Sequence, residues 1–231
     1  MTYALDGRIA SIVMDDGKAN ALSVGMFEDI NAAFDRAEAE DALVVLRGRE
    51  GKFSAGFDLG VLGAGGAEAG VMLRSGFALA QRVLEFPQPV VMACTGHAIA
   101  MGLFLLLSGD YRIGVTGADH KLVANEAAIG LTMPWAAVEI LRQKLHPAHF
   151  QRATNLAETY NPDTAVVAGM LDAVVPADEL IPAAEAKAAE LAATLNATAH
   201  TASKLRAREQ TLAALREARE RDNADFKALF P

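Results

Sequence analysis

The sequence holds a single cysteine, Cys94, among 231 residues, so an internal disulfide is excluded and a reducing compartment suits the chain. Long apolar runs are missing too. The most hydrophobic stretches, Val90 to Cys94 and Leu103 to Leu107, are too short to cross a bilayer. Excess positive charge is absent: the formal net charge of −8 argues against nucleic acid or an anionic membrane as the main partner. Histidine and cysteine lack metal-ligand spacing, no phosphate loop of the Gly-Lys-Thr kind occurs, and no segment repeats. No signal-peptide pattern opens the sequence. The expectation is a soluble cytoplasmic protein with no metal. With 52% hydrophobic and 22% charged residues, the composition is globular, and the length allows one sizeable core or a core with an appendage.

Strand and helix signals alternate through the first half. Arg8 to Met14 reads as a strand, Asp15 to Gly17 as a turn, and Ser23 as the cap of a helix carrying Met26, Ile30, Ala33 and Phe34 at helical spacing. Ala42 to Leu46 reads as a buried strand. Gly60 to Gly70 is rich in Gly and Ala and is expected to be a mobile loop, followed by a helix from Val71 to Phe86 that Pro87 and Pro89 stop. Val90 to Cys94 is the next buried strand, with Cys94 an inert apolar residue. This order predicts an α/β sheet with right-handed crossovers. Beyond Pro134 helices dominate, with Ala183 to Leu195 and Ala202 to Leu229 free of Gly and Pro.

Three segments carry chemistry. "FSAGFDL", Phe53 to Leu59, follows a strand, and the small Ala55 and Gly56 let its backbone approach a ligand. "CTGHAIAMG", Cys94 to Gly102, opens into an apolar helix, and N–H groups in a first helical turn lack intrahelical partners. If the N–H groups of Phe57 and Met101 converge on one oxygen, they form an oxyanion hole. "ANEAAIGLTMPWA", Ala124 to Ala136, places Glu126 among apolar residues. Burial would raise its pKa toward that of a general base working near neutrality. The same residue also reads as the cap of a short helix. Asp58 reads as a brace of its loop, His97 as part of a packed turn, and Trp135 as core packing or as the lining of a pocket. Arg47, Arg49 and Lys52 read as a solvated loop or as partners for phosphates.

In their order, "ANALS" (Ala19 to Ser23), "FSAGFDL", "TGHAIAMG" (Thr95 to Gly102), "GDYRI" (Gly109 to Ile113) and "NEAAIGLTMP" (Asn125 to Pro134) resemble the crotonase, or enoyl-CoA hydratase/isomerase, superfamily over nearly the whole chain. The resemblance implies a crotonase-like ββα spiral over residues 1–175 that binds acyl-CoA, followed by a helical trimerisation region over 176–231. It implies a homotrimer or hexamer, acyl-CoA thioester substrates, and no cofactor beyond the CoA of the substrate. The oxyanion donors fall on the N–H groups of Phe57 and Met101. Ala55, Gly56, Asp58, Gly102 and Trp135 fall at substrate-contacting positions, with the segment around Ala55 against CoA.

The family's hydratases use two carboxylates, and here the first position holds Phe104. Only Glu126 remains, which suits a proton relay from C2 to C4 of a 3-enoyl-CoA better than addition of water. "FSAGFDL", "DYRI", the "NE" pair and the spacing from Asp110 to Glu126 also look like the isomerase versions, with Asn125 a candidate to orient Glu126. The alternatives are a hydratase or other crotonase-type reaction with one carboxylate, and a non-catalytic acyl-CoA-binding member.

Overall fold

A computed structural model describes residues 1–229. Its first strands, β1 (Thr2–Asp6) and β2 (Ile9–Val13), form an antiparallel hairpin across Gly7. There follow β3 (Ala21–Leu22), α1 (Val24–Ala39), β4 (Leu43–Arg47), β5 (Gly51–Ser54), β6 (Gly56–Phe57), α2 (Leu59–Ala64) and α3 (Gly66–Glu85). The middle of the chain supplies β7 (Val90–Ala93), β8 (Gly96–Ile99), α4 (Met101–Leu107), β9 (Tyr111–Val115) and β10 (Leu122–Val123). After a 3-10 turn at Ala127–Ile129 come α5 (Trp135–Lys144), α6 (Pro147–Leu156), α7 (Pro162–Ala168), β11 (Ala173–Val175), α8 (Leu180–Thr194), α9 (Ala197–Ala207) and α10 (Glu209–Leu229).

Successive turns of the chain give one strand to a large sheet, a second strand that pairs in a smaller sheet, and then a helix, which is the ββα spiral expected. The large sheet has the order β1-β2-β4-β7-β9-β11, parallel except for the first pair. The small sheet, β10-β8-β5, is wholly parallel, and β3 pairs with β6 alone.

The continuous apolar run of β4 follows from burial on both faces. Val44 and Leu46 face the core inside the spiral, whereas Val45 joins Val91, Ile113, Leu180, Ala184 and Ala188 beneath α8. Removing each such Val, Leu or Ile side chain from water contributes about 1.5–3 kcal/mol. Ser23 caps α1 as expected, its Oγ accepting the Met26 N–H at 3.2 Å.

Three expectations need correction. The stretch Gly60 to Gly70 is helical, not a loop. Asp58 Oδ1 caps α2 by accepting from Gly60 and Val61, and the glycines serve mainly at Gly65 and Gly66, whose positive φ makes the break between α2 and α3. β1 and β11 lie in segments not read as strands, since both add at the sheet's edges and neither holds a fully buried residue. Finally, Ala202 to Leu229 is two helices. Arg208 ends α9, and its guanidinium reaches across the fold to Leu84 O at 2.7 Å and Asp110 Oδ1 at 2.8 Å.

Those bonds explain "GDYRI". Asp110 also accepts from Val90 N–H at 2.8 Å and Lys204 Nζ at 2.7 Å. Burial alone would raise its pKa, and the Lys204 and Arg208 charges overcome that and leave it below the ordinary carboxylate range. Arg112 forms a two-pronged pair with Asp172. Both acids tie β9 to segments far along the chain. None of the described helices is long and apolar enough to cross a membrane.

Candidate active site

The three sequence segments meet at one edge of the small sheet. β5, β8 and β10 run parallel, with Ser54 opposite Ala98 and Val123 opposite Ile99. Their C-terminal ends therefore release Ala55–Phe57, Ala100–Met101 and Ala124–Glu126 on the same side. The C-terminal edge of parallel strands is where backbone groups are left free for ligands.

Gly56 makes the closest joint. Its φ is +88°, and a Cβ there would sit 2.7 Å from Ile99 O, 3.2 Å from the Ala100 Cβ and 3.4 Å from Met101 N. Only a residue without a side chain lets the two donor segments touch in this way. Pairing also orients the Phe57 N–H. Asp58 N–H donates to Leu22 O at 3.3 Å, and Gly56 N–H donates to Ser54 Oγ at 3.1 Å. Alternation along a strand then turns the intervening Phe57 N–H away from β3.

Met101 is the first residue of α4, so its N–H has no intrahelical acceptor. Ala100, before it, holds φ 49°, ψ −121°, a conformation rare for a residue with a side chain. Its N–H is fastened to Val123 O at 2.9 Å and its carbonyl receives Phe104 N–H at 3.1 Å. Gly102 packs against Ser54, whose carbonyl would lie 2.5 Å from an added Cβ.

Glu126 is 7% exposed. Its Oε2 is buried without a hydrogen-bond partner, as is Asn125 Oδ1. Although Glu126 precedes the 3-10 turn, its side chain makes no capping bond, and so the capping reading fails. Burial pushes its pKa up to about 7, against a smaller lowering by a backbone N–H.

Around this edge the wall is aromatic. Phe104, fully buried, stacks with Phe77 at 6.2 Å, and Phe77 stacks with Phe226 of α10 at 6.5 Å. Phe57 meets Phe27 and Phe77 edge-on at 6.1 and 6.2 Å. A groove of about 370 Å³ between Glu38, Arg82, Glu85 and Arg219 contains none of these residues.

The other singled-out residues make contacts of their own. Asp58 caps α2. His97 Nδ1 accepts Lys121 N–H at 2.9 Å, and burial beside Lys52 holds the imidazole below its ordinary pKa, keeping that nitrogen an acceptor. Trp135 is 49% exposed at the start of α5 under the Arg221 guanidinium, 5.2 Å from the ring centre. Arg49 lies 3.8 Å from Asp15. Cys94 is buried, and burial raises its thiol to about 12. Among the described residues no cluster of three or more His, Cys, Asp or Glu is placed to hold a metal ion.

Sequence reasoning passed over two braces. Asn20, fully buried at φ 53°, donates its amide to Met14 O and Phe53 O and so ties β2 to β5. A polar residue inside "ANALS" was the available signal. Asp222, 2% exposed, accepts the N–H groups of Trp135 and Ala136 at 2.8 Å each. Nothing distinguished it from the other charges of α10.

Residues 5–231 match the model of the family described as enoyl-CoA hydratase/isomerase. The chain is 45% identical to a probable enoyl-CoA hydratase, EchA3, of Mycobacterium tuberculosis, whose crystal structure superposes with a TM-score of 0.94 over 98% of this chain and 95% of that one. An apo structure of the same mycobacterial locus, described instead as an enoyl-CoA isomerase, gives 45% identity and a TM-score of 0.92 over 96% and 97%. A probable enoyl-CoA hydratase, EchA17, of Mycobacterium avium is 31% identical over 184 residues, covering 78% of this chain and 71% of that protein.

Proposed function

The chain belongs to the enoyl-CoA hydratase/isomerase family of acyl-CoA enzymes, and on that premise we propose that it moves the double bond of a 3-enoyl-CoA to the 2-position. The observation that carries the reading is the solitary carboxylate. Glu126 is buried with Oε2 unpartnered and a pKa lifted to about 7. Asp58, next to the Phe57 donor in sequence, is committed to capping α2, and by the resemblance the apolar Phe104 falls at the position of the hydratases' first carboxylate.

In this reading the thioester oxygen lies between the N–H groups of Phe57 and Met101. Ionised Glu126 takes a proton from C2, and the C–H electron pair delocalises onto the thioester oxygen, giving a dienolate held by the two donors. The electrons then return: the C1 carbonyl reforms, a C2–C3 double bond forms, and the former C3–C4 π pair takes the same proton from Glu126 at C4. Proton and charge balance, and no cofactor beyond the substrate's own CoA enters. The segment around Ala55 is assigned to CoA, Gly56 and Gly102 to backbone approach, and Trp135 to the acyl rim. Residues 176–231 are assigned to assembly of a homotrimer or hexamer.

The relatives named as hydratases favour water addition as the second reading. A paired assay separates the two: conjugation of a 3-enoyl-CoA and hydration of a 2-enoyl-CoA, for wild type and Glu126→Gln. Isomerisation lost in the variant, with little hydration in either protein, is the expected outcome. Efficient hydration by the wild type would overturn isomerisation as the main activity, and no turnover of either substrate would point to a binding role.

A further inference from the structure

Both candidate oxyanion donors act through their backbone, yet their side chains share one seat. Gly76 lies in the middle of α3, buried. A Cβ on it would fall 2.7 Å from Phe57 Cε1, 2.8 Å from Phe57 Cζ and 3.1 Å from Met101 Sδ. The ring of Phe57 is also held edge-on between Phe27 and Phe77, and Met101 is fully buried. Met101 has no open space to retreat into, and the half-buried Phe57 ring is flanked by aromatic rings on two sides.

We propose that Gly76 is a positioning residue: by leaving this slot empty, it seats the Phe57 and Met101 side chains together and so aims their N–H groups at one oxygen. The proposal rests on the oxyanion reading above. A glycine in the interior of a helix is a poor choice for helix stability, so its place here calls for a packing reason, and the two nearest side chains belong to the two donors. A methyl group at 76 must displace at least one of them. Because the Phe57 ring is flanked by Phe27 and Phe77, in this proposal part of that displacement passes to the Phe57 backbone, and a donor shifted by tenths of an ångström no longer points at the developing charge.

The test compares Gly76→Ala with Gly70→Ala, a control on the same helix, where an added Cβ meets only the flexible end of Arg74 at 3.0 Å. Two readouts are taken: isomerisation kinetics, and the absorption of a bound aryl-acrylyl-CoA, which moves to longer wavelength when its carbonyl is polarised. Gly76→Ala is expected to lower kcat about tenfold with KM changed less than about twofold, and to shrink the spectral shift, while Gly70→Ala leaves both unchanged. Shortening the Phe57 side chain in Gly76→Ala/Phe57→Leu is expected to restore most of the shift and of kcat.

Wild-type values in Gly76→Ala would overturn the proposal. So would losses that the double variant does not recover, because they would reflect general damage to α3. If the wild type polarises the carbonyl but does not isomerise, the proposed reaction fails and the spectral comparison still decides the role of Gly76. If the wild type gives no spectral shift, the oxyanion reading and this proposal fall together.

Discussion

Relative to wild type, Glu126→Gln should gain stability as pH rises. In the folded chain burial lifts the carboxyl from its ordinary 4.5 to about 7. The folded state therefore binds the proton more tightly than the unfolded chain does. A raised pKa gives stability that is fully present below about pH 4.5 and is lost as pH rises through about 7. At about 1.36 kcal/mol per tenfold change in proton affinity, the full loss is about 3 kcal/mol, of which roughly 2.5 kcal/mol falls between pH 5 and pH 8. Glutamine keeps the shape and never ionises, so it escapes this loss. Its buried amide adds an offset that does not depend on pH.

Urea unfolding of both proteins at half-unit steps of pH would therefore show the difference between variant and wild type widening by about 2.5 kcal/mol from pH 5 to pH 8. Turnover should track the same group. Isomerisation by the wild type at low substrate rises about tenfold per pH unit below about 7 and then levels, as expected for a base that must be ionised. A stability difference independent of pH, or a rate flat between pH 5.5 and pH 8, would refute the reasoning.

Gly56→Ala combines a disfavoured φ with a methyl group 2.7 Å from Ile99 O, and kcat should fall at least about tenfold; steady-state kinetics giving near-normal turnover would show that the donor segments need no such contact. Asp222→Ala removes the acceptor of two N–H groups at the start of α5 and should lower stability by about 1–2 kcal/mol; an unchanged denaturation midpoint would mean that water replaces the carboxylate. Cys94, buried with its thiol raised to about 12, should resist an aromatic disulfide reagent in the native state and react once in denaturant. Fast native reaction would contradict the burial of β7's end.

The spiral was readable because its strands are short, apolar and punctuated. Val44 and Val45 face opposite layers, and both are buried, so the run carries a strong signal without alternation. Glu126 was legible for a related reason, since a lone acid among apolar residues demands an explanation. Tertiary bonds were not legible. The break at Arg208 is set by its reach to Leu84 and Asp110, which no local pattern encodes. Asp222 looks like any acid on a charged helix until α5 is brought against it. The Gly60 to Gly70 stretch misled because glycine counts weigh against helix, whereas the cap from Asp58 and the packing of Val61 and Leu62 on the core decide for it.

The aromatic wall has a history in time as well as a place in space. Phe77 faces Phe226, and Trp135 receives its cap from Asp222, 87 residues further on. During synthesis the strands and α3 leave the ribosome long before α10 does, and domains begin to fold as they emerge. For that interval Phe77 has no partner on its outer face and the start of α5 has no cap. The nascent chain therefore displays an apolar surface that a chaperone can hold until α10 packs back and closes the wall.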